Sequence, residues 1–254
     1  MDMQHDVLII GGGPAGLTAA IYLARYHLSL KLIDAGQSRA GLIPRTHNHA
    51  GFPEGISGAE LVERMREQAR LYGASITTGR ATRLDAIDGG FAVEAGEGIV
   101  TARAILLATG ITNRRPQIDE DLHDQALACG LIRYCPVCDG FEVTDQIIGV
   151  IGTGPRGAAE AGFLRGFTET VTLVAPDGTH ILSAEDRDRL GELGIACVDG
   201  PARVSRIDGD SIIVETPSHS LAFDSIYPAL GSDTHIELAW QIGTDLSEDG
   251  NIVV

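Results

Sequence analysis

One short pattern occurs twice in this chain: a run of branched aliphatic residues, a glycine-rich turn, a helical stretch and a second aliphatic run. In the first copy Asp6-Val-Leu-Ile-Ile10 enters Gly11-Gly-Gly-Pro-Ala-Gly16, Leu17 to Tyr26 reads as a helix, and Leu30-Lys-Leu-Ile-Asp34 as the next strand. In the second, Ile147-Ile-Gly-Val-Ile151 enters Gly152-Thr-Gly-Pro-Arg-Gly157, a helix runs to Leu164, and Thr170 to Val174 is the strand. The two turns start 141 residues apart. Strands buried on both faces read as unbroken aliphatic runs, and parallel neighbours need a crossover helix between them.

The fold expected is therefore α/β, with two Rossmann-like three-layer domains. The polar stretch Thr112-Asn-Arg-Arg-Pro116 reads as a linker. That gives a first domain over residues 1–113 and 233–254, with a second inserted over 114–232. Ser57 is expected to cap a helix over Ala59 to Leu71, and residues 75–108 read as short strands separated by Asp88-Gly-Gly90 and Gly96-Glu-Gly98. Further strands are expected near 203–208, 211–216 and 223–228.

Composition narrows the partners. The 254 residues carry 35 acidic against 19 basic side chains, a net charge of −16. Such a surface repels phosphate backbones and anionic lipid, so nucleic-acid and membrane partners are not expected. The apolar stretch Val7 to Ile10 is far too short for a signal peptide or a membrane span, so a cytoplasmic protein is expected.

At the first turn, helix-N-terminal N–H groups can hold a pyrophosphate, with Gly11, Gly13, Pro14, Ala15 and Gly16 forming the cradle. Asp34, eighteen residues after Gly16, stands where a carboxylate accepts ribose hydroxyls. At the second turn, Gly152, Gly154 and Gly157 have no such acid, because the equivalent position is Ala175, followed by Pro176 and Asp177. No arginine for a 2′-phosphate stands there either, although Arg156 could touch a phosphate. The residues leave two uses open, a structural turn or a nicotinamide site for NADH or NADPH.

Cys135 and Cys138 form a C-x-x-C, a spacing that allows a small disulfide ring and lets one thiol lower the pKa of the other. The competing use is half a zinc site, but no second pair stands at finger or ribbon spacing, although His123 and Cys129 lie upstream. We expect a redox pair and no metal, with the Asp139 carboxyl available to move the accompanying proton. Cys129 and Cys197 are expected to be buried small hydrophobes. His47 and His49, flanking Asn48, read as surface histidines of a loop.

Taken together, the N-terminal dinucleotide turn, the second Rossmann-like cycle and Cys135 to Gly140 resemble the low-molecular-weight thioredoxin reductase family. By that resemblance Gly11 to Gly16 and Asp34 form an FAD site, Asn48-His-Ala-Gly51 is its flavin loop, and Ala108-Thr109-Gly110 its A-T-G segment. The resemblance further implies that Cys138 faces the flavin, Cys135 exchanges with substrate, and Asp139 protonates the leaving thiolate. It implies a homodimer, a rotation of the smaller domain, and a thioredoxin-like protein or small disulfide as partner. Three positions depart from the pattern: Ala175-Pro-Asp177 replaces a basic triplet that reads NADPH, His49 and Ala50 replace an aromatic and a proline, and Asn251-Ile-Val-Val254 reads as a strand leading toward a missing final segment. The Phe141-Glu142 tail resembles relatives that oxidise dithiols with oxygen, and other relatives take electrons from ferredoxin. A flavin-binding redox sensor without turnover is the non-enzymatic alternative.

Overall fold

The computed structural model describes residues 4–96, 98–247 and 251–253. The chain separates into two compact units. The first runs to Ile43, resumes over Ile56–Thr112 and returns at Asp233; the second comprises Pro44–Gly55 and Asn113–Ser232. Both units are discontinuous in sequence, and Pro44–Gly55, which lies inside the stretch read as the first domain, clusters with the second unit.

In the first unit β1 (His5–Ile10), α1 (Pro14–Arg25) and β2 (Leu30–Asp34) make the expected crossover. After α2 (Gly58–Leu71) come β3 (Ser75–Thr78), β4 (Ala81–Ile87), β5 (Gly90–Ala95) and β6 (Gly98–Leu107). The sheet order is β3-β2-β1-β6-β5-β4, parallel from β3 through β6 and antiparallel beyond. Successive side chains of a strand face opposite sides, so Ile9 packs with Leu17, Leu32 and Val62 while Leu8 and Ile10 pack with Ile33, Leu84 and Val93. Each such fully buried aliphatic side chain contributes about 1.5–3 kcal/mol. Ser57 Oγ accepts the Glu60 N–H at 3.2 Å and starts α2 as expected.

β7 (Ile111–Asn113) overlaps the start of the stretch read as a linker. In the second unit α3 (Glu120–Ala128), capped by Asp119, is followed by the single turn α4 (Pro136–Asp139). Then come β8 (Ile147–Ile151), α5 (Gly154–Leu164), β9 (Thr170–Val174), α6 (Ala184–Glu192) and β10 (Ala196–Val198). A meander of β11 (Arg203–Asp208), β12 (Ser211–Glu215) and β13 (Ser220–Phe223) precedes β14 (Ser225–Pro228). The parallel sheet is ordered β10-β9-β8-β14. β15 (Ser232–Thr234) pairs with β7, and α7 (Glu237–Gln241) returns to the first unit, where Gln241 Oε1 accepts the Leu84 N–H at 2.7 Å.

Three local expectations change. The strand expected over 223–228 is two strands in different sheets. The break is Asp224, whose N–H donates to the Ile147 carbonyl and whose Oδ2 accepts the Ile147 N–H, both at 2.8 Å. Cys129 and Cys197 are exposed rather than buried, since one ends α3 and the other sits on the edge strand β10. The closing strand is a single antiparallel bridge between Leu246 and Ile252, with Val254 outside the described residues. Among the described residues no helix is long and apolar enough to cross a membrane.

Candidate active site: a disulfide beside a doubly held carboxylate

Cys135 and Cys138 are joined by a disulfide with their Cα atoms 5.2 Å apart. The local chain explains the closeness. Pro136 presets the first helical φ of α4, and the Cys135 carbonyl accepts the N–H of both Cys138, at 2.8 Å, and Asp139, at 3.1 Å. One tight turn thus brings the sulfurs together while leaving Val137 and, one residue past the turn's Gly140, Phe141 exposed at 78% and 80%.

Asp139, the acid expected from the sequence, has both carboxylate oxygens engaged. Arg133 Nη1 donates to Oδ2 at 3.1 Å and Tyr227 Oη to Oδ1 at 2.9 Å. Burial raises the Asp139 pKa, while the Tyr227 hydroxyl and the Arg133 guanidinium pull it back. Neither partner was legible as a site residue in the sequence. A signal for Arg133 lies in Gly130, which precedes a short extended run whose neighbouring side chains Arg133 and Tyr134 reach different partners.

Tyr134 points to the other side of that run. Its hydroxyl lies 2.8 Å from His123 Nε2, and His123 Nδ1 lies 3.1 Å from Asp124 Oδ1. Burial pushes the Tyr134 phenol up to about 12. His123, considered above as an upstream metal ligand, is instead committed to these two partners. On the other side of the disulfide Asn48 Nδ2 donates to the Cys138 carbonyl at 2.8 Å, and His47 Nδ1 lies 3.3 Å from Glu142 Oε1. The Asn48 loop is therefore tied to the disulfide turn within the second unit.

The first glycine turn has the shape a dinucleotide requires. Gly11 has φ +110°, and a Cβ there would stand 2.2 Å from the Ala108 carbonyl oxygen. Gly13 caps α1 without a side-chain hydrogen bond, Pro14 opens the helix, and Pro14 and Ala15 are exposed, so the helix N-terminus offers backbone N–H groups to an anion. A Cβ on Gly16 would collide with the Gly11 carbonyl oxygen at 2.0 Å. Asp34 Oδ1 accepts the N–H groups of Gly12 and Gly36, at 3.2 and 3.0 Å, and Oδ2 takes Arg66 Nη2 at 2.9 Å. Arg66 is a partner the sequence did not announce. In the A-T-G segment Thr109 Oγ1 donates to the His235 carbonyl at 2.6 Å, and Gly110 has φ +73°.

The second turn has the same backbone and different chemistry. Gly154 has φ +64°, a Cβ on Gly157 would stand 2.9 Å from the Gly152 carbonyl carbon, and Thr153 caps α5 without a side-chain bond to it. The Thr153 hydroxyl instead accepts the Ile181 N–H at 2.8 Å and faces His180 Nδ1 at 3.3 Å. Ala175, where Asp34 stands in the first copy, is fully buried.

The family description pyridine nucleotide-disulphide oxidoreductase matches residues 5–254. The thioredoxin reductase of Mycolicibacterium smegmatis is 40% identical over 175 residues, covering 67% of this chain and 54% of that protein. The chain thus spans about half the length of that relative. The thioredoxin reductase of Streptomyces coelicolor is 32% identical over all of this chain and 81% of its own length. Among solved structures, thioredoxin reductase from Streptococcus pyogenes superposes with a TM-score of 0.87 at 25% identity, covering 98% of this chain and 84% of that one. The repeated glycine turn, the disulfide turn placed between the two copies and these likenesses agree: the chain belongs to the pyridine nucleotide-disulphide oxidoreductase family, among the thioredoxin reductases.

Proposed function

We propose that the protein carries an electron pair between FAD and the Cys135–Cys138 disulfide and delivers it to a thioredoxin-like protein or a small disulfide. The observation that carries this is the disulfide set one residue from a carboxylate that two donors hold. Gly11, Gly13, Pro14, Ala15 and Gly16 would cradle the FAD pyrophosphate, Asp34 its ribose, and Asn48, Thr109 and Gly110 its flavin end. FAD bound there supplies two-electron chemistry at neutral pH.

The residues of this chain then do the following. Two electrons and a proton convert the disulfide to one thiol and one thiolate. The Cys135 thiolate attacks the partner disulfide, forming a mixed disulfide and releasing the first partner sulfur. Cys138, its proton having passed through solvent to the first released sulfur, attacks the Cys135 sulfur; the bond from Cys135 to the partner breaks, the intramolecular disulfide re-forms, and Asp139 gives its proton to the second departing thiolate. Cys138→Ser and Cys135→Ser should each abolish turnover, and only proteins with both sulfurs should exchange electrons anaerobically between dithiol and flavin. A colourless protein that takes up no FAD would overturn the proposal.

The source of the electrons divides two readings. NADH at Gly152, Gly154 and Gly157 is consistent with Arg156 in the turn and with no residue placed for a 2′-phosphate. A second reading dispenses with pyridine nucleotide, the dithiol being oxidised with oxygen, or ferredoxin feeding the flavin. It is favoured by the buried Ala175 and by the Thr153 hydroxyl already engaged with the Ile181 loop. Parallel anaerobic titrations with NADPH, NADH and a dithiol decide: bleaching by NADPH counts against both readings of the second turn, bleaching by NADH selects the first, and bleaching by dithiol alone selects the second.

A homodimer is supported by the exposed Tyr22, Tyr26 and Leu71, carried on or just past the C-terminal ends of α1 and α2. Sedimentation at micromolar concentration tests it. The free exposed thiols of Cys129 and Cys197 fit a reducing compartment, which supports a cytoplasmic location.

A further inference from the structure

The segment before the disulfide is an added strand on β14. Ile132 bridges Ile226 in parallel register, Ile226 N–H donates to the Leu131 carbonyl at 2.8 Å, and Arg133 N–H donates to the Ile226 carbonyl at 2.9 Å. Ile132 and Ile226 both face one core cluster. The pleat then turns the next residue of each strand, Arg133 and Tyr227, to the opposite face, side by side. Asp139 lies against both.

We propose that Arg133 and Tyr227 are positioning residues for the proton step, gripping the two oxygens of Asp139 so that its carboxylate is held ready as the proton leaves. This rests on Asp139 being the proton donor named above. Three features support the grip as a built arrangement. Tyr227 is 0% exposed and spends its one hydroxyl on Asp139, at 2.9 Å to Oδ1 and 3.3 Å to the backbone carbonyl. The Arg133 Nε is buried and makes no hydrogen bond, so a partly unsatisfied cation is retained at this spot. Gly130, with φ +72°, leaves room for the guanidinium, since a Cβ there would stand 3.0 Å from Nη2.

The charges facing Asp139 can be named element by element. Arg133 comes from the added strand, Tyr227 from β14, Glu142 from the turn after α4 with His47 beside it, and the two sulfurs from α4 itself and its cap. From α5, which also packs on α4, the half-buried ionisable side chain is Glu160, and Arg156 is the opposite charge nearest to it in effect. Arg133 and Tyr227 stabilise the charged form and Glu142 opposes it. When the thiolate departs from Cys135, the bond to the partner sulfur breaks, the Cys135–Cys138 bond forms, and the proton passes from Asp139 to the leaving sulfur. The carboxylate left behind is the species the two donors bind, so losing either should keep Asp139 protonated to higher pH and make it a poorer donor.

The test uses the intact flavoprotein, reduced stoichiometrically and mixed across a pH series with either of two probes. Hydroxyethyl disulfide releases a basic thiolate that needs a proton; bis(carboxy-nitrophenyl) disulfide releases one that leaves without it. In the wild type the rate with the first probe should fall as pH rises through an inflection that Asp139→Asn removes. Arg133→Met and Tyr227→Phe should each move that inflection up by about one pH unit, Arg133→Lys should bring it part of the way back, and the second probe should show no shift. If Arg133→Met does not fold, Tyr227→Phe carries the test. An inflection that Asp139→Asn removes but neither variant moves overturns the grip alone; an inflection that survives Asp139→Asn overturns the proton-donor role on which it rests.

Discussion

Tyr134 Oη and His123 Nε2 lie 2.8 Å apart, joining the residue immediately before Cys135 to the buried face of α3. His123 is 2% exposed, so water cannot replace a lost partner. Tyr134→Phe should strand that ring nitrogen and cost about 1–3 kcal/mol. The expected readout is a melting temperature lower by several degrees with unchanged flavin content, measured by calorimetry and absorbance. An unchanged melting temperature would show that the pair adds nothing to the hold on the disulfide turn.

Asn48 fastens its loop to the same turn from another direction, through a 2.8 Å bond to the Cys138 carbonyl. Asn48→Ala should raise amide hydrogen exchange over residues 44–55 about tenfold, equivalent to losing one exposed bond. Asn48→Asp should do at least as much, because a carboxylate cannot donate and would face the carbonyl oxygen. Equal exchange in all three proteins would mean the loop is held by other contacts.

Glu160 is half-hidden on α5, with Oε1 buried and unpartnered, and burial pushes its carboxyl up to about 7 against only a partial pull from Arg156. A folded-state value above the unfolded 4.5 means the folded chain holds the proton more tightly. The contribution to stability is therefore whole below pH 4.5 and is lost as pH rises through about 7. Glu160→Gln should have the wild-type unfolding free energy, from urea titration, near the lower pH and exceed it above neutrality by about 1 kcal/mol, a figure reduced for residual solvent screening. A gap independent of pH would rule out titration of this side chain as its cause.

Gly12 illustrates how little room the first turn leaves. A Cβ at this position would stand 2.3 Å from the Asp34 carboxylate, so Gly12→Ala must push that side chain away from the Gly12 and Gly36 N–H groups and from Arg66. The purified variant should retain at least tenfold less FAD per chain, by the ratio of flavin to protein absorbance. Full retention would remove Asp34 from the proposed cofactor site.

The sequence by itself determined the two glycine turns, their flanking strands and the disulfide spacing. These rest on interactions between near neighbours: close backbone approach at Gly11 and Gly16, the 3.6-residue and 2-residue side-chain periods, and a ring that three residues can close. What only the tertiary structure decided is who stands beside the reactive groups. Arg133 and Tyr227 are 94 positions apart in the sequence and meet because Ile132 pairs with Ile226. Arg66 reaches Asp34, the last residue of β2, from helix α2, and Asp224 splits an apparently continuous strand by bonding Ile147. Strand register and helix docking are set by the burial of whole faces, and no local pattern records which polar side chains those faces bring together.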